Sequence, residues 1–274
     1  MMGAMEDAST RACWILDLDG VVWLADKPIP GAADAIAEAR RAGRRVVFFT
    51  NNSFARKEEL LAKFAAHHID CSDDDLLSSA QAAARLLEPG ERAYVLGGPG
   101  IEEALSARGV EVVSSDEVAT ARVDAVVVGL DMNLTMGRMT LATRAVARGA
   151  RLVGTNDDAT YPTPDGPLPG GGALLAAVRY ASGQDAVVAG KPYGPAAALV
   201  AERVGAVAMM VGDRPSTDGR FARRLGAAFG LVRSGVTAPG VEVDDPRPDL
   251  DAADLAALVA TCLGAERRDG PSAR

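Results

Sequence analysis

WILDLDGVVW, residues 14–23, puts two carboxylates where a strand should still be leaving a hydrophobic core. Three apolar residues run into Asp17 and Asp19, which flank Leu18, and Gly20 then returns the chain to apolar residues. Ionised carboxylates are costly to bury without partners, so a strand tip carrying two of them marks either a solvated turn or a site that uses them. Whether other strands of the chain end in the same way separates these readings.

Short apolar runs rich in β-branched residues recur at 13–16, 46–50, 93–96, 125–128, 152–155, 186–189, 208–211 and 228–232, and they read as strands buried on both faces. Between them, AADAIAEARRA, ARKEELLAKFAAH, LTMGRMTLATRAVARG, GALLAAVRYASG and YGPAAALVAERVG repeat apolar residues at spacings of three and four and predict helices. Strand and helix alternating over nearly the whole chain predict an α/β protein with a doubly wound, Rossmann-like parallel sheet, its working residues at the carboxyl ends of strands. Four runs end in unusual polar groups: Leu16 in Asp17 and Asp19, Phe49 in TNNS (50–53), Ala189 in GKP (190–192) and Val211 in GDRPSTD (212–218). The runs between residues 93 and 155 end instead in GGPG, GL and GTND. This contrast predicts a catalytic core of residues 1–78 and 186–274, interrupted by an inserted α/β domain over 79–185.

Composition narrows the partners. With 274 residues, 48% of them hydrophobic, the chain can build a real core, and its formal charge of −8 disfavours nucleic acid or an anionic membrane. Any anion must be held by a few local donors. Cys13, Cys71 and Cys262 are odd in number and far apart, which suits reduced thiols. MMGAMEDASTR lacks a basic segment leading into a long apolar one, and no run is long enough to span a bilayer, so a cytoplasmic protein is expected. LGGPG (96–100) lacks the full dinucleotide fingerprint and reads as a helix opening at Pro99, while His67 and His68 have no third partner at ligand spacing.

The four polar strand ends offer carboxylates (Asp17, Asp19, Asp213, Asp218), amide and hydroxyl groups (Thr50, Asn51, Asn52) and one ammonium (Lys191). Hard oxygen ligands without thiols suit Mg²⁺. A phosphate dianion fits beside these carboxylates only if a cation and Lys191 offset the repulsion. The order DxDG, TNN, GKP and GDxxxxTD resembles the haloacid dehalogenase-like phosphatases, and "GTNDDATYPTPDGPLPGGG" with "VVAGKP" resembles the subgroup of NagD, 4-nitrophenylphosphatases, phosphoglycolate phosphatases and pyridoxal phosphate phosphatases. The likeness runs from Trp14 to Thr237.

The resemblance implies a Mg²⁺-dependent phosphatase of small phosphomonoesters, of the 4-nitrophenyl phosphate, glycerol phosphate or phosphoglycolate type, working through an aspartyl-phosphate. It makes Asp17 the nucleophile and Asp19 the group that protonates the leaving alcohol and then activates water. It assigns the metal to the carboxylates of Asp17 and Asp213 and the backbone carbonyl of Asp19. Thr50, Asn51, Asn52 and Lys191 would hold phosphoryl oxygens, Gly20 would give the turn that keeps both aspartates at the strand tip, and Asp218 would orient Lys191 or metal waters. Residues 79–185 become a cap, through which such proteins often dimerise, and the 157–172 loop with Tyr161 is expected to face the leaving group. Val21 stands where Thr is frequent, and RPSTDGR departs from the common pattern at Pro215 and Gly219.

Plainer readings stand beside these. Thr50, Asn51 and Asn52 could cap the helix that follows, and Tyr161 could simply pack in a proline-braced loop. A phosphoryl transferase or mutase would share the same aspartyl-phosphate, and a non-catalytic metabolite-binding regulator would keep only the fold.

Overall fold

The computed structural model describes residues 13–161 and 166–269. In chain order these form β1 (Cys13–Leu16), β2 (Trp23–Leu24), β3 (Lys27–Pro28), α1 (Ala32–Arg41), β4 (Arg45–Thr50), α2 (Lys57–Ala66), β5 (Leu76–Ser78), α3 (Ser79–Ala84) and β6 (Arg92–Leu96). Then come α4 (Pro99–Ala107), β7 (Glu111–Val113), β8 (Ala125–Val128), α5 (Met136–Ala147), β9 (Arg151–Gly154), β10 (Thr160–Tyr161), β11 (Leu168–Pro169), α6 (Gly171–Ser182) and β12 (Ala186–Val188). The chain closes with α7 (Gly194–Arg203), β13 (Met209–Gly212), α8 (Arg220–Leu225), β14 (Ala228–Val232), β15 (Leu250–Ala252) and α9 (Leu255–Asp269). The chain divides into two compact units: residues 1–49, 64–75 and 200–274, and residues 50–63 and 76–199.

In the first unit the strands run in the order β15-β14-β13-β1-β4, all parallel. β1 is an interior strand, with Leu16 opposite Val211 on one side and Phe48 on the other. Its four residues, CWIL, are all buried, as the continuous apolar run requires of a strand covered on both faces. Burying a side chain such as Ile15 or Leu16 is worth about 1.5–3 kcal/mol, so the tip that carries Asp17 is anchored by the core beneath it. Phe48 and Phe64 pack with ring centroids 4.4 Å apart, and Phe49 meets Phe221 at 5.4 Å.

The second unit holds a five-stranded parallel sheet in the order β12-β9-β8-β6-β7. Tyr94, Val126, Val128, Leu152, Leu174, Leu175 and Val178 join in one buried cluster, so α6 and the sheet strands share a core. Both sheets are parallel and helix-flanked, the α/β class that the alternation predicts.

One boundary differs from the sequence reading. Residues 186–189 were expected in the core domain, yet β12 pairs with β9 and is the edge strand of the second unit's sheet. Its central residue Val187 is 53% exposed. An apolar tripeptide looks the same at the edge of one sheet as inside another, and periodicity cannot tell them apart. The segment 50–63 likewise belongs to the second unit.

Candidate active site

Each unit carries one polar cluster at strand ends. In the first unit, ligand atoms of Asp17, Asp213 and Asp218 lie within 4.8 Å of one another. Asp17 follows β1, where its N–H donates to the Val211 carbonyl at 2.9 Å. Asp213 follows β13, its carboxylate accepting the Val236 N–H at 2.5 Å. Asp218 sits in a single π turn, Pro215–Gly219, and accepts the Arg214 N–H at 3.2 Å. Asp213 and Asp218 are only 3% and 1% exposed.

The turn after β1 is built around glycine. Gly20 has φ +84°, a conformation that L side chains rarely adopt, and a Cβ there would lie 2.5 Å from Asp213 Oδ2. Its N–H donates to the Trp23 carbonyl at 2.6 Å, and Ser234 Oγ donates to the Gly20 carbonyl at 2.6 Å. Asp19, half-buried, forms an isolated bridge with Trp23 and is not a member of the three-carboxylate group.

Pro215 and Gly219 have a local explanation. Pro215 opens the π turn, where a missing N–H costs nothing. A Cβ on Gly219 would fall 2.6 Å from Pro246 Cγ and 2.8 Å from Phe229 Cε1. Gly219 therefore allows close packing against Pro246 and Phe229.

Three carboxylates this close repel one another unless a cation or protons intervene. Their donor set is all hard oxygen, which suits Mg²⁺ and offers nothing to a thiol-seeking metal. His67 and His68 belong to no such group among the described residues; His67 packs 5.9 Å from Trp23, ring to ring.

The second unit gathers the amides. Thr50, the last residue of β4, is 2% exposed and accepts the Asn52 N–H at 3.0 Å. Asn51 Oδ1 accepts the Lys191 N–H at 2.8 Å, while its Nδ2 donates to the Lys191 carbonyl at 3.1 Å and to Asp158 Oδ2 at 3.2 Å. Asn52 Oδ1 accepts the Phe54 N–H at 2.9 Å, and its Nδ2 lies 3.5 Å from the Tyr161 hydroxyl. Lys191 is 1% exposed. The resemblance implies that Asn51 and Asn52 hold phosphoryl oxygens; both side chains also meet protein groups. Residues 162–165 of the 157–172 loop lie outside the described residues.

LGGPG is structural. Pro99 opens α4 and the Gly100 N–H donates to the Phe54 carbonyl at 2.9 Å, an approach that a Cβ would block because it would sit 2.1 Å from the Ala55 carbonyl oxygen.

Several residues of these clusters escaped the sequence reading. Thr237 Oγ1 donates to the Asp213 carbonyl at 2.5 Å, and Gly235 leaves no room for a Cβ against the Asp213 carboxylate. Their signal was available, since RSGVT follows β14 as directly as GDRPSTD follows β13. Ser79 and Asn156, which both donate to the Asn51 carbonyl at 2.8 Å, gave no such signal.

Comparison with known proteins agrees with this chemistry. The haloacid dehalogenase-like hydrolase family model matches residues 14–111, and a second, HAD-hydrolase-like model matches residues 188–258. D-glycerol 3-phosphate phosphatase of Mycobacterium tuberculosis is 36% identical over 239 residues, covering 84% of this chain and 65% of that protein, so the chain spans just under two thirds of this relative's length. A structure of glycerol phosphate phosphatase from that organism in complex with magnesium superposes with TM-score 0.81 at 33% identity, covering 93% of this chain and 78% of the other. Human chronophin is 36% identical over 252 residues, 85% of each chain. The p-nitrophenyl phosphatase of Archaeoglobus fulgidus gives TM-score 0.83 at 28% identity, covering 92% of this chain and 99% of the other.

Proposed function

Because the chain belongs to the haloacid dehalogenase-like hydrolases, we propose that it is a Mg²⁺-dependent phosphatase of small phosphomonoesters. The observation that carries this is the convergence of Asp17, Asp213 and Asp218 at the ends of adjacent parallel strands. Those carboxylates, with the backbone carbonyl of Asp19, would hold the ion, which supplies positive charge to offset that of the phosphoryl group.

Asp17 attacks phosphorus through a carboxylate oxygen as the ester P–O bond breaks, giving an aspartyl-phosphate. An ionised carboxylate needs no activating base. Asp19 donates its proton to the departing alkoxide, then takes a proton from the water that attacks phosphorus, and the P–O bond to Asp17 breaks to release inorganic phosphate. Lys191 and Thr50 neutralise and orient phosphoryl oxygens, where charge spreads in the transition state. Residues 79–185 serve as the cap that selects the leaving group, and Tyr161, within 3.5 Å of Asn52 Nδ2, contacts it. A cytoplasmic enzyme that dimerises through this cap completes the reading, which is consistent with the finding that no helix among the described residues is long and apolar enough to cross a membrane. Glycerol phosphate and 4-nitrophenyl phosphate, named in the relatives' descriptions, head the substrate panel.

The test is inorganic phosphate release from a panel of phosphomonoesters with and without Mg²⁺, beside Asp17→Asn. Release that needs Mg²⁺ and falls at least about 1,000-fold in the variant, with unchanged thermal unfolding, is expected. Robust turnover by Asp17→Asn would sink the mechanism, and transfer of the phosphoryl group to a second hydroxyl without release of phosphate would make the protein a transferase or mutase.

A further inference from the structure

Asn51 grips Lys191 as one strand grips another. Its carboxamide meets both sides of the Lys191 residue, the Oδ1 accepting N–H at 2.8 Å and the Nδ2 donating to C=O at 3.1 Å, across 140 residues of sequence. A primary amide has two N–H donors, and the second goes to Asp158 Oδ2 at 3.2 Å. Both donors are therefore committed. The Asn51 backbone is fixed in turn, because its carbonyl accepts from Ser79 Oγ and Asn156 Nδ2, each at 2.8 Å. Gly190 makes the approach possible: a Cβ there would stand 2.6 Å from Asn51 Oδ1 and 2.5 Å from the Thr155 carbonyl oxygen.

Asp158 reinforces the way the amide faces, which the Lys191 N–H and C=O already require. An ionised carboxylate only accepts hydrogen bonds, so it holds Nδ2 on its own side and leaves Oδ1 for the Lys191 N–H. The flipped amide would set Oδ1 against two acceptors, the Asp158 carboxylate and the Lys191 carbonyl. Buried polar groups left in such contacts are destabilising because neither finds a donor.

We propose that Asn51 is a positioning residue that acts through Lys191 rather than on the phosphoryl group, and that Asp158, by taking the second N–H of its amide, braces it and so ties the loop after β9 to Lys191. The proposal rests on the role of Lys191 given above. It assigns a structural consequence to Asp158 that neither the DxDG nor the GKP motif contains.

A double-mutant cycle on the full chain with 4-nitrophenyl phosphate tests it. Asn51→Ala should lower kcat/KM by about 10–100-fold in the wild-type background and by less than about 3-fold in a Lys191→Ala background. Equal losses in both would show that Asn51 acts on substrate directly and would overturn the proposal. Asp158→Ala should lower kcat/KM by about 3–10-fold in the wild-type background and add nothing in an Asn51→Ala background; equal losses in both would overturn the role of Asp158. Hydrogen exchange at the Lys191 amide decides the positioning independently of turnover. Exchange at least about 10-fold faster in Asn51→Ala, with an unchanged thermal midpoint, supports it, and unchanged exchange overturns it. Faster exchange in a protein that hydrolyses no phosphomonoester would leave the positioning standing and remove the phosphatase reading.

Discussion

The two polar clusters are held by opposite means. In the first unit Asp213 and Asp218 accept backbone N–H groups, from Val236 and Arg214, and glycines clear the space around Asp213 and Asp218. The amides of the second unit rest on side chains, with Asn51, Ser79, Asn156 and Asp158 holding one another and the Lys191 backbone. A backbone donor holds charge at a fixed place whatever side chain its own residue carries. Side-chain networks let a distant loop influence the group they hold, and they fail more readily when one member is lost.

Substituting one glycine in each cluster should separate these behaviours most strongly. A Cβ on Gly212 would lie 2.2 Å from Asp218 Cγ and 2.3 Å from its Cβ, so Gly212→Ala must displace a buried carboxylate. It should destabilise the protein by about 1–3 kcal/mol and abolish the rise in thermal midpoint produced by Mg²⁺. Gly190→Ala intrudes on Asn51 and Thr155 instead, and should raise KM for phosphoester while the Mg²⁺ response survives. The contrast breaks if both variants lose the Mg²⁺ response in differential scanning fluorimetry.

Acid should reveal the same backbone anchoring elsewhere in the first unit. The Phe229 N–H, at 2.8 Å, holds the Asp249 carboxyl below its ordinary range, and Arg223 adds to the effect. The Arg233 hydrogen bond does the same for Asp251. Both folded-state values lie below the unfolded value near 4, so these groups stabilise the fold above about pH 4 and lose that contribution as pH falls through the lowered values. Asp249→Asn should lower stability at neutral pH and make urea unfolding less sensitive to acid below about pH 4. An unchanged acid slope would show that this carboxylate does not anchor β14 to β15.

The smallest effect concerns β1 itself. Burial pushes the Cys13 thiol up to about 11, against a smaller opposing influence of Arg45. Cys13 is buried, whereas Cys71 is only half-buried. Iodoacetamide at pH 8 should therefore label Cys71 well before Cys13, and peptide mass mapping reads the order. Early labelling of Cys13 would mean that the strand carrying Asp17 opens more easily than its packing implies.

Legibility followed the same division. Asp17, Asp19, Asp213 and Asp218 stood out because each lies within a few residues of a buried strand, and the strand end is itself visible as a change from apolar to polar. The Ala125–Val128 strand and the helix Ala32–Arg41 were equally plain from periodicity. Short strands such as Glu111–Val113 and Leu250–Ala252 were not, since three residues do not establish a period. The partners of Asn51 were hidden for a different reason: TNN reads as a set of anion donors, and the groups its amide meets lie more than 100 residues along the chain.

The sequence by itself determined that this is an α/β protein with carboxylates, amides and a lysine at strand ends, because periodicity, turns and strand termini are written in neighbouring residues. Only the tertiary structure decided that β12 borders the second unit's sheet, that Asp218 joins Asp17 and Asp213, and that Asn51 holds Lys191 from 140 positions away. Those outcomes depend on which strand edges and loops meet in space, and a hydrogen bond between distant residues leaves no local pattern by which to foresee it.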